Sequence, residues 1–137
     1  MNTFSKTMDL LHRALSASTV RREVIANNIA NANVPNFKRS AVNFESELKR
    51  ALNTEKQKPA LELTTTNDKH FSNYKERDYR DVQIRRVLDH TSAYNNNGNN
   101  VDPEQEFAAS VANQMSWNLL AQSASFEFSQ INQVLRS

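Results

Sequence analysis

Residues 27–38 read NNIANANVPNFK, with five asparagines, one proline and no glycine. They follow a stretch with helical spacing, yet asparagine is a poor helix former because its amide competes for nearby backbone groups. Upstream, Phe4, Met8, Leu11, Leu15, Ser18, Arg22, Ile25, Ile29 and Ala32 recur at alternating steps of four and three. This heptad frame, apolar except at Ser18 and Arg22, predicts one long helix over residues 3–33, roughly 45 Å at 1.5 Å per residue. The helix stops at Val34-Pro35, because a residue before proline is pushed out of the helical region.

A second long helix is predicted over residues 102–137, ending at about Leu135. Asp102 can cap it, Pro103 suits its first position, and Gln105 sits where a capping box places Glu or Gln. Glu104 and Glu106 suit the positive end of its dipole. Phe107, Val111 and Met115 begin one apolar stripe; Trp117, Ala121, Ala124, Phe128, Ile131 and Leu135 form another. The polar face carries Asn113, Gln114, Asn118, Gln122, Ser125 and Gln130. Solvated helix faces are usually charged, so a face of amides and hydroxyls suggests hydrogen bonds to other helices.

The middle, residues 34–101, is irregular. NFESELKRAL, from Asn43, reads as a short helix with Asn43 as cap and Phe44, Leu48 and Leu52 on one face. ALELTTT (60–66) and VQIRRV (82–87) have strand character and could pair as a hairpin. YNNNGNN (94–100) reads as a turn or flexible loop. The expected fold is mainly α. Its terminal helices form a coiled-coil-like core in a single domain over residues 1–137.

Composition removes several function classes. Gly98 is the lone glycine, so neither GxGxxG nor a P-loop can be present. With no cysteine there is no disulfide, thiol catalysis or thiolate metal site. His12, His70 and His90 lack metal-ligand spacing, and no GxSxG elbow occurs. No catalytic, cofactor-binding or metal-binding residue is assigned, and no cofactor is expected. The basic clusters at 21–22, 38–39 and 85–86 are short and net charge is only +2, unlike a dedicated nucleic-acid binder. No run reaches the roughly 18 apolar residues of a membrane span, and Asp9, His12 and Arg13 interrupt any secretory leader.

The charged residues among the first 39 are mostly basic, whereas residues 101–137 carry Asp102, Glu104, Glu106 and Glu127 against Arg136. Opposite signs favour contact between the ends, in one chain or between copies. Hydrophobic residues make up 38% of the chain and mean hydropathy is −0.73. With so little apolar material, the terminal helices are expected to be partly ordered in a free monomer and fully ordered in an assembly.

VIANNIANANVPNFKRS (24–40) resembles the N-terminal signature of the bacterial flagellar axial family of rod, hook and hook-associated proteins. In that signature a helix ends in a run like ANNIAN-NTPGFK. Asn27, Asn28, Ile29, Ala30, Asn31, Pro35, Phe37 and Lys38 match it. Val34 stands where Thr is common and Asn36 where Gly is usual. Asparagine is the residue best able to replace glycine in a left-handed turn. VNFESELKRAL (42–52), NGNNVDPEQEFA (97–108) and the segment 113–135 are similar to stretches of proximal rod members, so the resemblance covers nearly the whole chain.

The resemblance implies a structural subunit of the flagellar basal body, polymerised through its terminal helices. The rod carries torque from the rotor to the hook. It further implies export to the periplasmic rod through the flagellar type III apparatus, without a cleaved signal peptide. Expected partners are other copies of the chain, the adaptor FliE, other proximal rod proteins and the rotor ring or export gate. The expected assembly interface comprises Ile25, Asn27, Asn28, Ile29, Asn31, Pro35, Asn36, Phe37, Phe107, Val111, Met115, Trp117, Phe128 and Ile131. In this reading the asparagines sit at a junction between subunits. Asn28→Leu and Asn31→Leu would then impair assembly more than folding, and Asn36→Gly would be tolerated. The competing reading is a helical cytoplasmic adaptor or chaperone that dimerises through the same seams.

Overall fold

The computed structural model describes residues 3–56, 67, 77–90, 92 and 96–136. In chain order the elements are α1 (Thr3–Ala30), β1 (Ser40–Asn43), α2 (Glu45–Lys56), a 3-10 turn (Tyr79–Asp81), β2 (Arg85–Leu88) and α3 (Pro103–Leu135). The contacts group into two units, residues 1–42 with 86–137, and residues 43–85.

The first unit is built on α1 against α3. The pairing is antiparallel: Phe4 meets Phe128, Ser18 meets Asn113, and Asn28 meets Glu106. The local signals at the start of α3 act as expected. Asp102 is extended, and its carboxylate accepts from the N–H groups of Glu104 (3.0 Å) and Gln105 (3.4 Å). α1 ends at Ala30, and residues 31–36 form turns instead of a last helical turn.

The seam of α1 departs from a strict heptad. Ala17, Ser18, Val24, Ile25 and Asn28 are buried, while Arg22 is exposed. At 100° per residue, buried Ala17, Val24 and Asn28 lie within about 40° of one another, and Arg22 lies about 140° from their centre, on the outside.

β1 and β2 pair into a two-stranded antiparallel sheet. β2 starts three residues later than the strand-like run at Val82, and its partner is β1. The run 60–66 lies outside the described residues. The Asp89 N–H continues the ladder by donating to the Arg39 carbonyl at 2.8 Å.

In the second unit, α2 contacts the 3-10 turn. Phe44, Ala51 and Tyr79 are buried. The residue directly before α2 is Phe44, not Asn43; the Asn43 side chain instead accepts from the Ser46 hydroxyl. Glu47 pairs with Arg50 (3.2 Å) and Arg77 (3.5 Å), and the Asp78 carboxylate caps the 3-10 turn through the Arg80 N–H.

Candidate assembly site

The asparagine-rich end of α1 is tied to the segment before α3 by side-chain amides. The Asn28 amide nitrogen donates to the Ser40 carbonyl (2.8 Å) and to Glu106 Oε2 (3.1 Å), while its oxygen accepts from the Ser40 N–H (3.0 Å). The N–H and C=O of one strand residue point to the same side, so Asn28 occupies the free edge of β1 as a second strand would. The Asn28 and Glu106 side chains are both 0% exposed. The second carboxylate oxygen of Glu106 accepts from Arg39 Nε at 2.5 Å, giving the buried acid a charged partner.

Asn99 works on the other side of the turn. Its amide nitrogen donates to the carbonyls of Asn31 (3.0 Å), Ala32 (2.9 Å) and Val34 (2.9 Å). These oxygens lie just past α1, where a helix end leaves carbonyls without partners. The Asn99 oxygen accepts from the Val101 N–H at 2.7 Å. Asn100 accepts from the Arg39 N–H (2.6 Å) and donates to the Asp89 carbonyl (2.8 Å). Asn99 and Asn100 therefore act as a clamp. Gly98 has φ +80, and a Cβ there would come within 2.7 Å of Asn36 Oδ1. Asn36 itself has φ 60, the conformation in which glycine is usual, and its N–H donates to the Asn97 carbonyl at 3.1 Å. Lys38 closes the turn by donating to the Gly98 carbonyl at 2.8 Å.

The faces of α3 are unlike what apolar content suggests. Glu106 and Asn113 are its buried residues. Asn113 accepts from the Ser18 hydroxyl (3.0 Å) and donates to the Ser18 carbonyl (2.9 Å). Phe107, Val111, Met115 and Leu119 are 55–66% exposed. Among the described residues no group of His, Asp and Glu could hold a metal, and every buried side-chain N or O has a hydrogen-bond partner. No described helix is long and apolar enough to cross a membrane. The site offers fixed backbone geometry and an uncovered apolar face.

Residues 8–38 match the family described as "Flagella basal body rod protein". The chain is 47% identical over 136 residues to "Flagellar basal body rod protein FlgB" of Borreliella burgdorferi, covering 99% of this chain and 100% of the relative. It is 43% identical to the protein of that name from Borrelia hermsii, with the same coverage. It is 31% identical to the one from Bacillus subtilis, covering 98% of this chain and 97% of the relative. The chain belongs to the FlgB family of flagellar basal body rod proteins. It is a structural rod subunit.

The family match ends at Lys38 and so covers only the α1 side of the junction; Asn99, Asn100 and Glu106 lie in the part of the chain that the full-length relatives alone span. Of the residues read from the sequence as an interface, Asn28 and Ile25 are buried inside the chain, and Ile29, Phe37 and Ile131 are half-buried. The Asn31 amide donates to the Asn27 carbonyl at 2.7 Å. Asn27, Pro35, Asn36, Phe107, Val111, Met115, Trp117 and Phe128 are exposed. The structure thus separates them into an inner junction set and an outer set. Sequence reading missed Ser18, Arg39, Asn99, Asn100, Glu106 and Asn113 as junction residues. The amide face of the last helix is a signal for Asn113, whereas Glu106 has only the pattern of an ordinary first-turn acid.

Proposed function

We propose that this FlgB-family chain is a subunit of the proximal rod, a single rod-type domain that polymerises through its terminal helices and carries torque from the rotor to the hook. The carrying observation is that α1 and α3 pair with each other while Phe107, Val111 and Met115 remain outside. Apolar side chains exposed in a row favour burial by a neighbouring surface. The exposed residues Asn27, Pro35, Asn36, Trp117 and Phe128 belong to the same proposed interface, with Ile25, Asn28, Ile29, Asn31, Phe37 and Ile131 supporting it from within. FliE, other proximal rod proteins and the rotor ring or export gate are the proposed neighbours beside further copies. Passage to the periplasmic rod is proposed to use the type III apparatus without removal of a leader. The adaptor or chaperone reading is not favoured, since the full-length relatives carry the name of a rod protein.

Deletion of the gene, followed by imaging of basal bodies, tests this reading. Cells without rods and without motility are expected, with recovery on restoring the chain. Intact rods in motile deletion cells would refute it.

A further inference from the structure

We propose that Glu106 and Asn113 determine which face α3 turns toward α1. Along residues 106–115 the face toward α1 is Glu106, Ser110 and Asn113, while Phe107, Val111 and Met115 point away. At 3.6 residues per turn the centres of the two faces are about 130° apart. Apolar burial alone would roll this half of the helix over and bury Phe107, Val111, Met115 and Leu119. The far half favours the observed rotation, since Phe128 meets the Phe4 ring there at 6.4 Å. The two halves of one helix thus have opposed apolar preferences.

The buried polar contacts decide the near half. Rolling α3 would detach Glu106 from Asn28 and Arg39, and Asn113 from both Ser18 groups. Buried donors and acceptors without partners are strongly disfavoured, and fixing register is the best-attested use of a buried polar group. Asp102 and Pro103 hold Glu106 in the first turn, so its carboxylate has little freedom to follow a rotation. The stripe then stays outward. That it is left for a neighbouring subunit rests on the rod reading; the choice of rotation does not.

The chain has no cysteine, so a single introduced thiol reports its own position. Maleimide labelling of purified Met115→Cys and Ser110→Cys chains is measured with and without the pair Glu106→Leu and Asn113→Leu, with helicity followed by circular dichroism. With the polar pair intact, position 115 should label fast and position 110 slowly. With both leucines present, labelling at 115 should fall at least about ten-fold and labelling at 110 should rise, as expected for a shifted population. An unchanged order in a folded leucine variant overturns the proposal. Should the leucine variant lose its helicity, Phe107→Ser, Val111→Ser and Leu119→Ser are added. Removal of the competing stripe should restore helicity and the original order of labelling. Failure to restore them also overturns the proposal. Because the readout is a property of the isolated chain, its failure is distinct from failure of the rod assignment.

Discussion

The two ends of the α1–α3 pair are held by different physics. At the end carrying the signature turn, Asn28, Arg39, Asn99, Asn100 and Glu106 make directional contacts. At the other end Phe4 meets Phe128 edge to face, with ring planes at 75°. Val134 and Leu135 remain exposed there, lining an open groove of about 400 Å³ with Thr3, Phe4, Thr7 and Ile131. Hydrogen bonds to specific backbone atoms define one register and lose their partners in any other. Apolar contact is non-directional and tolerates sliding. The signature end therefore sets the geometry of the pair, and the open end follows it.

The largest effect is expected from Asn28→Leu. It removes both bonds to Ser40 and one bond to a fully buried carboxylate, and leucine cannot replace any of them. A loss of about 3–5 kcal/mol is expected, since several buried groups lose a partner at about 1–3 kcal/mol each while Glu106 keeps Arg39. Chemical denaturation of the free chain measures it. This departs from an interface role for Asn28, in which assembly would suffer more than folding. A variant with wild-type stability and defective rods would restore that role and abolish the contrast between the ends.

Asn99→Ala comes next. It leaves the carbonyls of Asn31, Ala32 and Val34 without the amide that serves all three. Water can reach part of this turn, so the loss should be about 1–3 kcal/mol. Hydrogen exchange locates it: amides in the last turn of α1 should lose protection, while those near Phe4 keep theirs. Equal loss along the whole helix would mean that the signature end is not a separate clamp.

What the sequence revealed follows the same division between local and distant causes. The start of α3 was legible because Asp102 and Pro103 act on the next three residues. The stop of α1 was legible only to within a turn, because Pro35 acts on Val34 whereas the helix already ends at Ala30; the left-handed turn was legible because Asn36 stands where glycine is usual. The partner of β2 was not legible. β1 is four residues long and has no alternation to announce it, and its edge is completed by an amide from α1. The inward face of α3 was not legible either. Its larger apolar residues in the first three turns lie outside, so hydrophobic spacing points to the wrong face. Only the amides of the polar face hinted otherwise, and of these Asn113 is the buried one.

Phe4→Ala should have the smallest effect of the three. Phe4 is half-buried and its described ring contact is Phe128, itself 55% exposed. An aromatic pair of this kind contributes about 1 kcal/mol beyond area burial, and partial exposure reduces the burial term. Denaturation of Phe4→Ala should therefore give a smaller shift than either asparagine variant. Exchange protection should change only in the first turns of α1 and the last turns of α3. The register between Ser18 and Asn113 should survive, since both of its hydrogen bonds lie well away from the ring pair. If Phe4→Ala instead destabilised the chain as much as Asn28→Leu, the open end would be setting the geometry and the junction following it. Rod assembly offers the complementary measurement: a neighbour that covers the open end would make Phe4→Ala more harmful in the polymer than in the free chain, whereas the effect of Asn28→Leu should already be complete in the monomer.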